Sequence, residues 1–194
     1  MSGIRILALA AAIASPARAQ TAVTRDTTTQ PHRHHTRQNA LAFSVLGVAS
    51  FAVIWFLPEE LSKWPREQRK LNHLLDAYRT PPVWDHDPWV WNYVIHPVAG
   101  AYSYLAERNH EESSLRSFLF STATSVGWEY GFEAWIEHPS AQDLLLTSTT
   151  GSLLGELSYR ATRRMAHNGF NPLEKLAVIA INPLWPLQHG FRSR

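Results

Sequence analysis

The sequence predicts an all-α protein, a compact bundle of about five to six helices that is membrane-associated and follows a signal peptide. Ser140-Ala141-Gln142-Asp143 has the order of a capping box, with Asp in place of the commoner Glu. Asn171-Pro172-Leu173-Glu174 combines a capping Asn, a Pro at the first helical position and an acid in the first turn. A continuous apolar run over residues 40–57 adds another helix, and no stretch has the polar–apolar alternation of a strand.

The composition excludes several classes of protein. With 194 residues, 45% of them hydrophobic, the chain fits one domain. The formal net charge of +2 gives no basis for binding nucleic acid. The absence of Cys excludes disulfides, thiolate metal sites and cysteine nucleophiles. Eight Trp and six Tyr belong to the side chains that favour membrane–water interfaces, so the composition fits a membrane-associated protein.

The N-terminus is predicted to be a secretory signal peptide over residues 1–19. Arg5 provides the positive charge, an apolar run follows it, and Ala17-Arg18-Ala19 matches a cleavage site before Gln20. The alternative is an uncleaved anchor, but the apolar run is too short to span a bilayer. Export to a bacterial cell envelope follows from the first interpretation.

Residues 20–39 form a polar segment that we predict to be a disordered tail, because it has no apolar periodicity. His32, His34 and His35 could bind a soft metal ion, but no second cluster matches them in spacing, which favours a solvated basic tail. The apolar run 40–57 carries no charge and ends at Pro58. Its length favours a transmembrane helix over a buried core helix, whereas the flanking charges do not decide its orientation or which membrane it enters.

The remaining chain, residues 58–194, is predicted to be a helical domain. Thr80-Pro81-Pro82 breaks the chain, Asp87 is the expected N-cap of the next helix with Pro88 at its first position, and Gly169 supplies a stop. Helices are predicted over residues 59–78, 89–108, 114–137 and 141–167, followed by a short one that ends before Pro183.

Polar residues inside these apolar helices are the candidate site. Residues 117, 121, 125, 129, 133 and 137 are Ser or Glu at i, i+4 spacing, so they form a stripe that drifts slowly around one helix. An acid buried among the aromatic residues there must be protonated, paired or bound to a cation. The candidate polar cluster consists of Asn92, His96, Ser125, Glu129, Glu133, Asp143 and Glu156.

Two interpretations of this cluster remain open. It can be a hydrogen-bonded network that fixes helix packing, with Arg108 or Arg160 neutralising an acid, or a divalent metal site with His96, Glu129 and Glu133 as ligands. Small residues at i, i+4 spacing allow helices to approach closely. Such positions are Gly100, Gly151 and Gly155, and also Gly127 and Gly131.

The order of these motifs resembles a bacterial family called domain of unknown function 3943, over roughly residues 85–192. The elements that carry the resemblance are Asn92-Tyr93-x-x-His96-Pro97-x-x-Gly100, Ser125-x-x-Trp128-Glu129-Tyr130 with Glu133, Pro139-Ser140-x-x-Asp143-Leu144, Gly151-x-x-x-Gly155-Glu156 with Tyr159-Arg160, and Asn182-Pro183 with Gly190-Phe191. The resemblance implies an uncharacterised envelope protein and supplies no catalytic residues.

From these observations we expect a structural or interaction component of the envelope that contacts membrane lipid and other envelope proteins. The alternative is a metal-dependent hydrolase acting on lipid or cell-wall material, with Asp143 orienting a ligand or water. A proton-coupled transport element is less well supported, because few long spans are visible. The sequence alone does not decide whether the protein is an enzyme.

Overall fold

The protein is helical throughout the part that its structure describes. A computed structural model describes residues 31–191, with side chains from residue 35 onward. Within this range it contains eight α-helices and no strand, which confirms the predicted all-α class and adds short helices to the expected five or six. The predicted signal peptide and residues 20–30 of the predicted tail lie outside the described residues.

The elements follow one another with short connections, except for residues 78–90 between α3 and the π-helical segment. The α-helices are α1 (Pro31–Phe56), α2 (Glu59–Ser62), α3 (Leu71–Ala77), α4 (His96–Arg108), α5 (Ser114–Gly131), α6 (Ala141–Asn168), α7 (Pro172–Ile181) and α8 (Leu184–His189). Two 3₁₀ turns, Arg66–Gln68 and Glu133–Trp135, and one π-helical segment, Trp91–Ile95, complete the set.

Two predicted boundaries before α4 are wrong. The tail prediction fails for residues 31–39, because α1 begins at Pro31 and carries this polar stretch as its first turns. The single helix predicted over 59–78 is divided between α2 and α3. Lys63 adopts a left-handed conformation (φ 62°) after α2, and Pro65, which has no N–H, cannot continue a helical hydrogen-bond ladder.

Two further predictions concern the helices of the candidate site. The helix predicted over 114–137 ends at Gly131, and a 3₁₀ turn follows it, since glycine weakens a helix. The irregularity expected at Pro97 takes the form of the π-helical segment 91–95. Asp87 was predicted to cap the start of this helical region. Instead, the Asp85 carboxylate accepts the backbone N–H of Asp87.

The predicted caps of α6 and α7 are confirmed. The Ser140 hydroxyl accepts the Asp143 N–H, and Asn171 and Glu174 form a reciprocal capping box. Gly169 ends α6 with a positive φ of 76°. These local signals depend on neighbouring residues alone, which is why the sequence is sufficient to predict them.

Helix α4 lies at the centre and packs against α1, α5, α6 and α8. It approaches α6 at backbone distance: a Cβ on Gly151 would lie 2.7 Å from Gly100 Cα, and one on Gly155 would lie 3.0 Å from Tyr104 Cβ. Gly127 and Gly131, which the spacing assigned to a helix contact, face open space, so that prediction is wrong.

The interior changes character along the bundle. Between α4, α5 and α6 the buried residues are mostly small or polar, and those of α5 are Ser117, Ser121, Ser125 and Glu129. A conventional apolar core lies at the opposite end, where α4 and α6 meet α7 and α8, and comprises Leu105, Tyr159, Ala166, Val178 and Trp185.

Helix α1 is long and apolar enough to cross a membrane by length and composition. The stretch His35–Phe56 includes an 18-residue window with a mean hydropathy of 1.9, none of it buried in the protein. One side of the helix nevertheless contacts the bundle. The Asn39 side chain donates to the Ala106 carbonyl (2.9 Å) and to Glu107 Oε1 (2.8 Å), and the Phe51 and Phe132 rings contact each other with their centroids 5.4 Å apart.

Candidate metal centre

Three side chains from three different elements converge at one end of the α4–α5–α6 bundle. His96 opens α4, Glu129 lies in the last turn of α5 and Asp143 lies in the first turn of α6. One ligand atom from each lies within 4.8 Å of the other two. His96 Nε2 is 3.7 Å from Asp143 Oδ2. The structure therefore brings together three residues that the sequence separates by up to 47 positions.

Helix capping fixes the two carboxylates relative to each other. The Ser140 N–H donates to Glu129 Oε2 (2.8 Å), and the Ser140 hydroxyl accepts the Asp143 N–H (3.1 Å). One residue thus holds the end of α5 against the start of α6. Because the N-terminus of a helix favours negative charge, this position also suits the Asp143 carboxylate.

Each carboxylate retains an oxygen without a hydrogen-bond partner. Glu129 and Asp143 are 1% and 2% exposed, and neither Glu129 Oε1 nor Asp143 Oδ1 has a partner among the described residues. The ion pairs in the described part of the chain bring no Lys or Arg to either group. Burying a charge is costly unless the charge is paired, protonated or bound to a cation. The geometry thus leaves an uncompensated acidic pair facing a histidine.

Two further carboxyl groups, those of Glu133 and Glu137, lie near this end of the bundle. Burial raises the pKa of Glu133 well above its usual range, and the neighbouring Glu129 and Glu137 carboxylates raise it further. Burial also raises the pKa of Glu137 to about 7, and the carboxylates of Asp85 and Asp87 contribute to that shift. Glu133 therefore holds its proton in the metal-free protein near neutral pH, whereas Glu137 loses its proton in that range.

Asp85 is a member of the site that the sequence did not reveal. Its Oδ1 accepts hydrogen bonds from Asn92 Nδ2 (2.6 Å), Gln142 Nε2 (2.8 Å) and the Asp87 N–H (3.0 Å). Burial opposes its ionisation, but hydrogen bonds from Ser140, the Asp87 N–H and Asn92 hold the pKa of Asp85 below its ordinary value. The only sequence signal was its place before the helix start, where we assigned the capping role to Asp87.

A backbone bridge places this loop against α6. The Val83 N–H donates to the Pro139 carbonyl (2.9 Å), and the Ala141 N–H donates to the Val83 carbonyl (2.8 Å). The second bond satisfies one of the N–H groups that the first turn of a helix leaves free. As a result Asp85 stands beside the first turn of α6, next to the acidic residues.

An open cleft of about 410 Å³ adjoins the acidic cluster, a name we use for His96, Glu129, Asp143 and the surrounding acids Asp85, Glu133 and Glu137. The cleft is lined by polar and apolar residues of the 58–85 region and of the turn after α5, and its polar residues include Lys63, His73, Asp85, Glu137 and His138. Asp85 and Glu137 belong to both features. The cluster is therefore buried on the bundle side and borders a solvent-accessible depression on the other.

The other predicted members of the candidate polar cluster occupy different places. Asn92 is buried and donates to Asp85, so it supports the site from the π-helical segment. Ser125 is buried one turn before Glu129, and its hydroxyl has no partner among the described residues. Glu156 lies far along α6, where it pairs with Arg108 (2.9 Å) and Arg160 (2.8 Å).

The donor set suits a divalent metal. An imidazole nitrogen with carboxylate oxygens is typical of zinc, iron and manganese sites. The predicted ligands His96 and Glu129 belong to the converging set, but its third member is Asp143, not the predicted Glu133. Glu133 follows α5 in the 3₁₀ turn, because the helix that would have kept it on the same stripe ends two residues earlier.

The fold and the site define an all-α domain with a polar, glycine-lined interior and a buried histidine–carboxylate cluster at one end. Residues 81–184, more than half of the chain, match the family described as domain of unknown function (DUF3943). The chain belongs to this family, and the cluster residues from Asp85 to Asp143 all lie within the matched region. No curated protein and no solved structure shows a significant match to the chain.

Proposed function

We propose that the protein is a membrane-associated component of the cell envelope whose acidic cluster binds one divalent cation. The cation would bridge α4, α5 and α6 through His96, Glu129 and Asp143. The observation that carries this proposal is the convergence of three ligand atoms within 4.8 Å, with buried carboxylate oxygens that have no partner among the described residues.

A closed packing network is the competing explanation of the same residues. Such a network satisfies its buried polar atoms, since an unsatisfied buried group costs roughly 1–3 kcal/mol. The Glu156–Arg108–Tyr104 group has this character, because Glu156 Oε2 accepts from both partners at 2.9 and 2.7 Å. The cluster around Glu129 differs from it, because Glu129 Oε1 and Asp143 Oδ1 have no hydrogen-bond partner and no Lys or Arg forms an ion pair with either group among the described residues. A bound cation supplies the missing positive charge.

The membrane association rests on α1 and on the signal-like N-terminus. An exposed apolar helix of this length is unfavourable in water and favourable in a bilayer. Export of the chain and its place in a bacterial envelope are supported by the n-region, the apolar run and the Ala-x-Ala site, and by the family resemblance. Other envelope proteins remain the expected partners.

The cation proposal is tested by elemental analysis of the detergent-purified chain with inductively coupled plasma mass spectrometry. We expect near-stoichiometric metal in the parent and its loss in Glu129→Gln. The matched control is Glu60→Gln, the same change at an exposed acid of α2, which should keep the metal. Circular dichroism shows whether each variant is folded. Folded proteins without metal in all three samples would contradict cation binding and favour the packing network.

A second candidate function is metal-dependent hydrolysis of lipid or cell-wall material. The cleft favours it, because Asp85 and Glu137 connect a solvent-accessible depression to the cluster. A bound divalent metal in such a site can activate water and polarise an ester, amide or phosphoryl group. This function is tested by mass spectrometry of lipid and peptidoglycan fragments after incubation with metal-loaded protein. Products formed by the parent and by Glu60→Gln, but not by Glu129→Gln, would support it, whereas no product from any of them would argue against it.

A further inference from the structure

In α5 and in the first half of α6, polar residues face the inside of the bundle and large apolar residues face outward. On α5 the buried face is Ser117, Ser121 and Ser125, and the exposed face includes Leu119, which is 56% exposed. The first half of α6 repeats this arrangement, with Leu145 and Leu153 exposed by 55% and 61%. Water-soluble helices have the opposite distribution, whereas small and polar residues line helix contacts in membranes.

Charges are absent from the middle of these helices and are concentrated at their two ends. Twelve residues without Asp, Glu, Lys or Arg separate Arg116 from Glu129, and twelve separate Asp143 from Glu156. Because Glu129 and Asp143 point into the bundle, the outward uncharged surface extends further, over residues 117–131 of α5 and 141–155 of α6. Each stretch is about 22 Å long at 1.5 Å per residue. We call this surface the uncharged band.

Three threonine hydroxyl groups of the band have a hydrogen-bond partner within their own helix. Thr122 and Thr124 donate to carbonyls of their own helix at 2.9 and 2.8 Å, and the exposed Thr149 donates to the Leu145 carbonyl at 2.7 Å. A polar group facing hydrocarbon needs such an internal partner. The band therefore presents no polar group that requires solvent at these three positions.

Contacts with α1 place the band at the depth of the candidate membrane span. The Arg116 guanidinium donates to Thr36 Oγ1 (3.2 Å), and further along both helices the Phe43 and Phe120 rings contact each other at 5.7 Å. The Phe51–Phe132 contact follows near the end of α5. Helices α1 and α5 thus run parallel and in step, so α5 lies beside the 19 uncharged residues of α1 that follow Arg37.

We propose that the uncharged band lies in the hydrocarbon of a phospholipid bilayer, so that α4, α5 and the first half of α6 are embedded beside α1. This inference rests on the proposed membrane span of α1. The acyl chains fit as the occupant because the band continues the apolar surface of α1 and ends in charges on both sides. The exposed Trp89, Trp91 and Tyr93 then lie at the cluster end, where aromatic side chains mark the interface.

This placement gives the acidic cluster a specific position. The cluster lies at the end of the band, and its cleft faces the charged 58–70 segment rather than the apolar surface. A ligand of the cleft would therefore combine a polar group at the cluster with an apolar part in the bilayer. Among the substrates of the hydrolase candidate, this geometry favours a lipid over soluble cell-wall fragments.

The absence of Cys from the sequence makes site-specific spin labelling direct. The full chain is labelled at Leu119→Cys on α5 and Leu153→Cys on α6, with Val45→Cys on α1 as the lipid reference and His167→Cys at the far end of α6 as the water reference. All four positions are exposed. Each protein is reconstituted into vesicles of phosphatidylethanolamine and phosphatidylglycerol. Relaxation by oxygen, which concentrates in the bilayer, is compared with relaxation by a water-soluble nickel chelate.

We expect labels at 119, 153 and 45 to have an oxygen-to-nickel ratio several-fold higher than the label at 167. If the nickel chelate relaxes the labels at 119 and 153 but not the label at 45, the embedding of α5 and α6 is overturned and the α1 span remains supported. Labels at 119 and 153 shielded from both agents would show a protein surface there and would equally overturn it. Exposure of the label at 45 to nickel would refute the α1 span itself, while metal content measured on the same preparations reports separately on the cluster.

Discussion

Replacing Gly151 by Ala measures how closely α4 and α6 approach. A Cβ at this position would lie 2.7 Å from Gly100 Cα and 2.9 Å from the Pro97 carbonyl oxygen, both of which are backbone atoms that cannot rotate away. Overpacking of this kind costs about 1–3 kcal/mol of stability. A clash with backbone atoms, which cannot move aside, is expected at the upper end of this range. Ala also favours a helix over Gly by about 1 kcal/mol. The expected net loss is about 2 kcal/mol, the difference of these two effects.

Thermal unfolding followed by circular dichroism tests this value, and Gly127→Ala is the matched control. A Cβ on Gly127 meets nothing within 4 Å, so the same substitution in a neighbouring helix should gain up to about 1 kcal/mol from helix propensity. For a chain of this size, 1 kcal/mol shifts the midpoint by roughly 2–4 °C. We expect the unfolding midpoint of Gly151→Ala to fall by roughly 4–8 °C and that of Gly127→Ala to rise by a few degrees. A rise of similar size in both would refute the close contact of α4 and α6.

Two further predictions concern the cluster and α1. Because the pKa of Glu133 is raised well above its usual value and that of Glu137 to about 7, these two groups bind protons more tightly in the folded metal-free protein than in the unfolded chain. Their contribution to stability is then greatest at low pH and is lost as pH rises from 5 to 8, so the unfolding midpoint of the parent should fall relative to that of Glu133→Gln over this range; the same pH dependence in both proteins would contradict the assignment. Asn39→Ala removes a donor to the buried Glu107 and should cost about 1–3 kcal/mol in thermal unfolding, whereas the exposed Gln38→Ala should cost less than about 0.5 kcal/mol. Equal midpoints for these two variants would show that the Asn39 contact does not stabilise the docking of α1.

The sequence was sufficient where structure depends on neighbouring residues. The caps at Ser140 and Asn171 and the stop at Gly169 are all present, because each is a local hydrogen bond or a local backbone preference. The division of 59–78 was not predictable from periodicity. It depends on a left-handed Lys63 and on contacts of this segment with α1, such as that between Phe51 and Trp64.

The candidate site was predictable only in part. The burial of Glu129 was predictable from its charge-free, aromatic surroundings. A site shared by Glu129 and His96 was predictable because both are polar residues within apolar helices. The replacement of Glu133 by Asp143 as the third converging group depends on where α5 ends. Asp85 was missed because its role arises from a bridge between two loops, and no spacing within one segment encodes such a contact.

The bridge between Val83 and Ser140 also has a consequence for the order of folding. It joins residues 57 positions apart, and the His96–Asp143 contact closes 47. Contacts of such long sequence separation form after local helices, because the chain must first lose the entropy of closing the intervening loop. We therefore expect the helices of the bundle to be protected early in hydrogen-exchange pulse labelling, and the amides of residues 83 and 141 to gain protection last.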